Sequence, residues 1–169
     1  LRAAGHTVDV IDLAASQFNP VMTTSEWMTY QQGNGDVPVG LERDVALVKL
    51  AEIIVFVYPT WWGGLPAQLK GWLERVMLPG TAFVFNENNK VRPGLKNIRR
   101  IHIASTFGSP WLYVRFVNDN GRRILARAFR LNTSLRTKVS TSSLYAMDTV
   151  TDESRKSFLL SLEKKMGTL

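Results

Sequence analysis

Strand-like and helix-like periodicities alternate along the whole chain, which predicts an α/β fold: a doubly wound parallel sheet with helices on both faces, three layers deep. Two local observations support this. Ile53-Ile54-Val55-Phe56-Val57 is a continuous apolar run, the pattern of a parallel strand buried on both faces. It passes through a loop with two adjacent indoles and two glycines, Tyr58-Pro59-Thr60-Trp61-Trp62-Gly63-Gly64, into Leu65, Leu69, Trp72, Leu73 and Val76 at helical spacing. Such a loop lies at the carboxyl end of a strand, where open α/β sheets hold their ligands. With 169 residues, 45% of them hydrophobic, the chain suits one well-buried domain over residues 1–169 and is short for two.

The elements follow in order. Leu1-Arg2-Ala3-Ala4-Gly5 reads as the tail of a helix with glycine at its C-terminal cap. Val8–Leu13 reads as a strand, and the long connection after it as carrying a short helix near Ser25–Tyr30 and a turn at Gly33-Asn34-Gly35-Asp36. Leu41, Val45 and Val48 mark one side of a helix over 41–51. After the strand at 53–57 comes a helix over 66–77, with Pro66 at its first position and Pro79-Gly80 beyond its end. Residues 81–85 read as extended, 87–94 as loop, 100–105 as a strand, 121–131 as a helix and 138–146 as a last strand; Trp111, Tyr113 and Phe116 fall in a loop. A closing helix over 152–166 has acids at its start and Lys164-Lys165 at its end, matching the helix dipole.

This order lacks one element. In a doubly wound sheet a strand should precede the opening helical tail and lie between the strands at 8–13 and 53–57. The loop after it normally cradles a cofactor phosphate on backbone N–H groups. The expectation is therefore that the first strand and phosphate loop are absent from this sequence, which starts about 25 residues into its domain. The rival, a sheet closing up with four strands, would expose the inner edges of two hydrophobic strands.

Composition narrows the chemistry. The chain has no cysteine, which excludes disulfides, thiolate metal sites and cysteine nucleophiles. Two histidines, His6 and His102, are too few and too far apart for a metal cluster, and His102 inside Ile101-His102-Ile103 reads as structural. No signal peptide is visible in these residues, nor any apolar run of the ~18 residues a membrane helix needs, so a cytoplasmic protein is expected, although a missing N-terminus could hide a targeting segment. The formal charge is +7, and residues 92–138 hold eleven Arg or Lys against one acid, Asp119. That field would attract anionic ligands. Its bland reading is a solvated helix face, and no nucleic-acid partner is predicted.

The run from Tyr58 to Val76, followed by Leu78-Pro79-Gly80-Thr81-Ala82-Phe83, closely resembles the signature of the NAD(P)H:quinone oxidoreductases, the DT-diaphorase-like group of flavodoxin-like flavoproteins. The match is specific over residues 53–85 and weaker elsewhere; Asp12-Leu13 with Phe18-Asn19-Pro20-Val21-Met22 also fits the group. The resemblance implies a flavodoxin-like fold and a flavin, FMN or FAD, with NADPH or NADH as hydride donor and a quinone-like acceptor. It implies that Pro59, Thr60, Trp61 and Trp62 line one side of the flavin, and that Ser105, Thr106, Phe107 and Gly108 stand in the group's second flavin loop, with Phe107 where glycine is frequent. Tyr113 falls at the place of an active-site tyrosine. A histidine expected a few residues later has no counterpart in Val114-Arg115-Phe116-Val117-Asn118-Asp119. Tyr113, Arg115 or solvent would then stabilise the reduced anionic flavin.

The group is usually dimeric, which makes a homodimer the expected assembly and Trp27 and Tyr30 candidates for its interface, a local lid being the other reading. Each assignment has a plainer rival. The two indoles could be core residues, although neighbours in a tight loop cannot both point into one core. Trp72 reads as core, and Tyr113 could be a packed loop aromatic. At the level of function, the rivals are a flavin, azo-compound or nitroaromatic reductase, an electron-transfer flavodoxin, and a regulatory subunit without turnover.

Overall fold

A computed structural model describes residues 1–32 and 36–169; the turn expected at Gly33-Asn34-Gly35 lies outside the described residues. The chain forms a three-stranded, fully parallel sheet with β4 (Arg100–Thr106) between β1 (Ile53–Pro59) and β5 (Lys138–Leu144). The connections carry α3 (Ala67–Val76), a small hairpin of β2 (Phe83–Phe85) with β3 (Val91–Pro93), and α4 (Trp111–Phe116). Next, α5 (Asn120–Arg123) runs on through a π-helical turn, Ile124–Phe129, and a 3-10 turn, Arg130–Asn132. Ahead of the sheet lie α1 (Thr24–Gln32) and α2 (Glu42–Leu50), and α6 (Asp152–Met166) closes the chain.

Parallel register decides which side chains share a face. Phe56 stands beside Ile103 and Thr141, and Tyr58 beside Ser105 and Ser143. On this face Phe56, Tyr58, Ile101 and Ile103 join Leu69, Trp72 and Val76 of α3 and Leu125 and Phe129 in one buried core. Phe56 meets Phe129 edge to face, with ring centroids 5.2 Å apart. On the opposite face His102 is fully buried and its Nδ1 lies 2.7 Å from Ser140 Oγ, as suits a structural histidine. Burial first, and then the charge of Lys165, hold its pKa below the usual value. α6 is tied to the sheet by Lys165, whose ammonium donates to the Thr141 carbonyl at 2.6 Å.

The segment before α1 is held by α3. Gln68 Nε2 donates to the Phe18 carbonyl at 3.3 Å and Arg75 Nη1 to the Asn19 carbonyl at 2.6 Å. Arg75 also pairs with Glu26 at 2.6 Å, with only 12% of either side chain exposed. Trp72 is core, as expected, and its indole N–H donates to Asp44 Oδ2 at 2.7 Å, clamping α3 to α2.

Several expectations need correction. Val8–Leu13 pairs with no strand: a strand needs a neighbour, and none lies between that segment and β1 among the described residues. Ile11 and Leu13 pack on the core without a ladder. β1 is accordingly an edge strand, and Val57 is 76% exposed where a fully buried run was expected. Pro66 is the N-cap of α3 and not its first helical residue. Part of the loop expected over 87–94 is strand β3, because Asn86 Oδ1 accepts from the backbone of Asn88 and Lys90 and turns the chain back. Three-residue strands are too short to show alternation. Trp111, Tyr113 and Phe116 lie on helix α4 and not in a loop. The last strand stops at Leu144, two residues before Ala146, which takes a left-handed φ of 55°.

Candidate functional site

Three loops meet at the carboxyl end of the sheet: 60–64 after β1, 107–110 after β4 and 145–148 after β5. Backbone bonds lock them together. Thr60 N–H donates to the Thr106 carbonyl at 2.8 Å, Phe107 N–H to Leu144 at 2.8 Å, and Met147 N–H to Phe107 at 2.9 Å. The first loop is closed on itself by reciprocal bonds between Trp61 and Gly64, of 3.3 and 2.8 Å. Closing so tight a turn forces Trp62 to a φ of 46° and Gly63 to 65°. A tryptophan in the left-handed region is strained, and such strain collects at functional positions.

The indoles both face solvent: Trp61 is 64% exposed and Trp62 fully so. Neither is a core residue. Below them Tyr58 and Thr60 carry buried side-chain oxygens without a hydrogen-bond partner. Burial, then the Asp119 carboxylate nearby, push the Tyr58 phenol far above its usual pKa, with the Arg122 charge opposing. Asp119 is 5% exposed, caps α5 through Arg122 N–H and holds Arg122 Nε at 2.6 Å. The start of α5 presses on the indole loop so closely that a Cβ on Gly121 would lie 3.0 Å from the Gly64 carbonyl carbon.

The second loop is built differently from the first. Ser105 is buried, with its Oγ 3.2 Å from Ser143 Oγ. Phe107 is also buried and stacks on Tyr145, ring centroids 4.9 Å apart at 16°. These two side chains serve the sheet end, which leaves Thr106, Gly108 and backbone groups as the parts facing outward. At Gly108 a Cβ would stand 3.0 Å from Asp148 Oδ2. Tyr113 is 57% exposed on α4, beside Trp111, Leu112 and Phe116, which are also exposed. Tyr58, Tyr145, Asp119 and Asp148 were not singled out from the sequence. Tyr145, an aromatic directly after the last strand, could have been; the two aspartates give no local signal.

A family model described as the flavodoxin-like fold matches residues 1–131. The chain belongs to this family. Among curated flavodoxin-like relatives, it is 34% identical over 98 residues to an uncharacterized NAD(P)H oxidoreductase of Haemophilus influenzae, covering 58% of this chain and 46% of that protein. It is 26% identical over 130 residues to NAD(P)H dehydrogenase [quinone] 1 of Rattus norvegicus, covering 67% of this chain and 46% of the rat protein. The chain thus spans about half the length of the curated relatives it matches. The solved NAD(P)H:quinone oxidoreductase of Methanothermobacter marburgensis superposes with a TM-score of 0.78 at 22% identity, over 95% of this chain and 81% of that one. That likeness establishes the fold. No helix of the described residues is long and apolar enough to cross a membrane.

Proposed function

We propose that this chain carries the active site of a flavin-dependent NAD(P)H dehydrogenase that passes two electrons to a quinone-like acceptor. The observation behind the reading is that two neighbouring indoles stay exposed at the carboxyl end of a parallel strand, on a strained loop. The dehydrogenase and oxidoreductase names of the relatives favour it over a carrier or a regulatory subunit. The residues fit a flat aromatic cofactor. Trp61 and Trp62 offer ring faces, and Thr60 Oγ1 is an unpaired polar atom at the base of their loop.

A bound flavin, FMN or FAD, supplies the hydride chemistry. The chain supplies position and electrostatics. Pro59, Thr60, Trp61 and Trp62 form one wall and exclude water from it, while Thr106, Gly108 and the backbone of Ser105 and Phe107 border the second side. Tyr113 is placed as the group that hydrogen-bonds the polar edge of the reacting partners. One open pocket suits sequential occupancy, first by NADPH or NADH and then by the acceptor. The same reading makes the protein a single flavodoxin-like domain working as a cytoplasmic homodimer, with Trp27, Met28 and Tyr30 exposed on α1 for the partner.

The test is an absorbance spectrum of the purified protein, followed by NADH and NADPH oxidation with a soluble quinone. Flavin absorbance and turnover that falls at least tenfold in Trp61→Ala are expected. A flavin-loaded protein that oxidises neither nucleotide refutes the proposal.

A further inference from the structure

Behind α4 lies a cavity of about 100 Å³ whose lining includes Arg115, Arg122, Arg123, Asn118, Asp119, Trp111 and Tyr145. We propose that it is the seat of the 2′-phosphate of NADPH, so that the protein selects NADPH over NADH. The inference rests on the dehydrogenase reading above and adds to it the identity of the donor.

Charge is the first support. Asp119 also lines the cavity, and Arg122 is paired with it at 2.6 Å, so the two cancel. Arg115 and Arg123 remain as uncompensated guanidiniums at one small opening. Two guanidinium-bearing residues lining one small cavity suit the oxygens of a phosphate dianion better than a ribose hydroxyl. Size is the second support. The cavity has room for about three waters, which accommodates one tetrahedral phosphate and no ring.

Position supplies the third. Tyr145 lines the cavity and stacks on Phe107 of the second cofactor loop, and Val117 lies 3.8 Å from where a Cβ on Gly63 would stand. Val117, the neighbour of the lining residue Asn118, thus places the cavity on the same end of the sheet as the indole loop. Trp111, half exposed with Arg115 held 5.8 Å from its ring centroid, offers a face for adenine beside the phosphate. Asn118 and Asp119 both take left-handed φ values, 77° and 42°, and this turn sets the cavity wall. A nucleic acid would need a track of cations along a groove, whereas these converge on a pocket for a single phosphate.

Calorimetric titration of the protein with 2′,5′-ADP, 5′-AMP and inorganic phosphate tests this without turnover. The expected result is 2′,5′-ADP binding about tenfold or more tighter than 5′-AMP, with the gap closing in Arg123→Ala and Arg115→Ala. The kcat/KM ratio of NADPH to NADH should fall toward one in the same variants. Equal binding of the two nucleotides overturns the proposal, as does a gap that survives both substitutions. So does inorganic phosphate binding as tightly as 2′,5′-ADP, which would mark a general anion site. Failure of the dehydrogenase reading looks different: no nucleotide oxidation by flavin-loaded protein, whatever the titrations give.

Discussion

Replacing Gly71 with alanine sets two known effects against each other. In the middle of an unconstrained helix the change stabilises by about 1 kcal/mol, because glycine loses more backbone entropy on folding. Gly71 sits mid-helix in α3, but a Cβ there would lie 2.3 Å from the Pro20 carbonyl oxygen and 2.5 Å from both Pro20 Cα and Cβ. These are backbone and ring atoms, which cannot swing aside as the end of a long side chain could. Pro20 would have to retreat by roughly 1 Å, and with it the hydrogen bonds that Gln68 and Arg75 make to Phe18 and Asn19. Overpacking of this kind costs about 3 kcal/mol at the upper end, so the helical gain leaves a net loss of about 2 kcal/mol. For a chain of this size that lowers Tm by about 4–8 °C. Urea and thermal unfolding of Gly71→Ala measure it directly. Stability equal to or above wild type would refute the claim that α3 and the Phe18–Pro20 segment touch at their backbones.

Trp62→Gly relieves a left-handed tryptophan that buries nothing, so stability should hold or rise by up to about 1 kcal/mol while flavin retention falls; loss of both together counts against a ligand-facing role. Trp72→Phe removes the donor to Asp44 and should cost about 2 kcal/mol in urea unfolding, with an unchanged midpoint as the contrary result. The Glu26–Arg75 pair carries a pH signature. Burial raises the Glu26 carboxyl, but hydrogen bonds from Arg75 and Thr23 outweigh it and the net pKa is lowered. A carboxyl lowered on folding contributes stability above its unfolded pKa and loses that contribution as pH falls through its folded value. Glu26→Gln should therefore cost about 2 kcal/mol at pH 7 and progressively less below about pH 4, which unfolding at several pH values will show.

The legible parts of this sequence were those whose signal is local. Val45 and Val48 announce a helix face by spacing, Asp152–Met166 by its charges, and Ile53–Phe56 a strand by its apolar run. The exposed indole pair followed from a simple geometric rule about neighbours in a tight loop. What escaped was set by partners distant in sequence. Val57 is exposed because β1 has a strand on one side only among the described residues; the order of elements marks that empty place, while the apolar run 53–57 by itself reads as covered. Val8–Leu13 has strand composition without a neighbouring strand to pair with. Ser105 and Phe107 were assigned to the cofactor side by resemblance, yet Ser143 and Tyr145 of the adjoining strand end draw their side chains inward. Asp119 is a single acid in a basic stretch, and only the packing of α5 shows that it faces Arg122.

The indole loop also explains how exposed side chains can be held in place. Side chains are usually fixed by burial, and Trp61 and Trp62 have little. Their positions are instead set through the backbone: Thr60 is pinned to Thr106, Trp61 and Gly64 bond to each other, and Gly121 packs tightly against Gly64, where a Cβ would force the loop to shift. Leaving an indole uncovered forgoes up to about 3 kcal/mol of burial, and the left-handed Trp62 adds about 1 kcal/mol of strain. Two uncovered rings on one braced loop thus leave that burial energy unrealised in the chain by itself. Under the proposed function, a flat ligand laid over the rings would recover that burial. Substituting Gly121 with alanine, remote from the ring faces themselves, should accordingly loosen ligand binding by displacing the loop, whereas a wall held by side-chain packing would be indifferent to it.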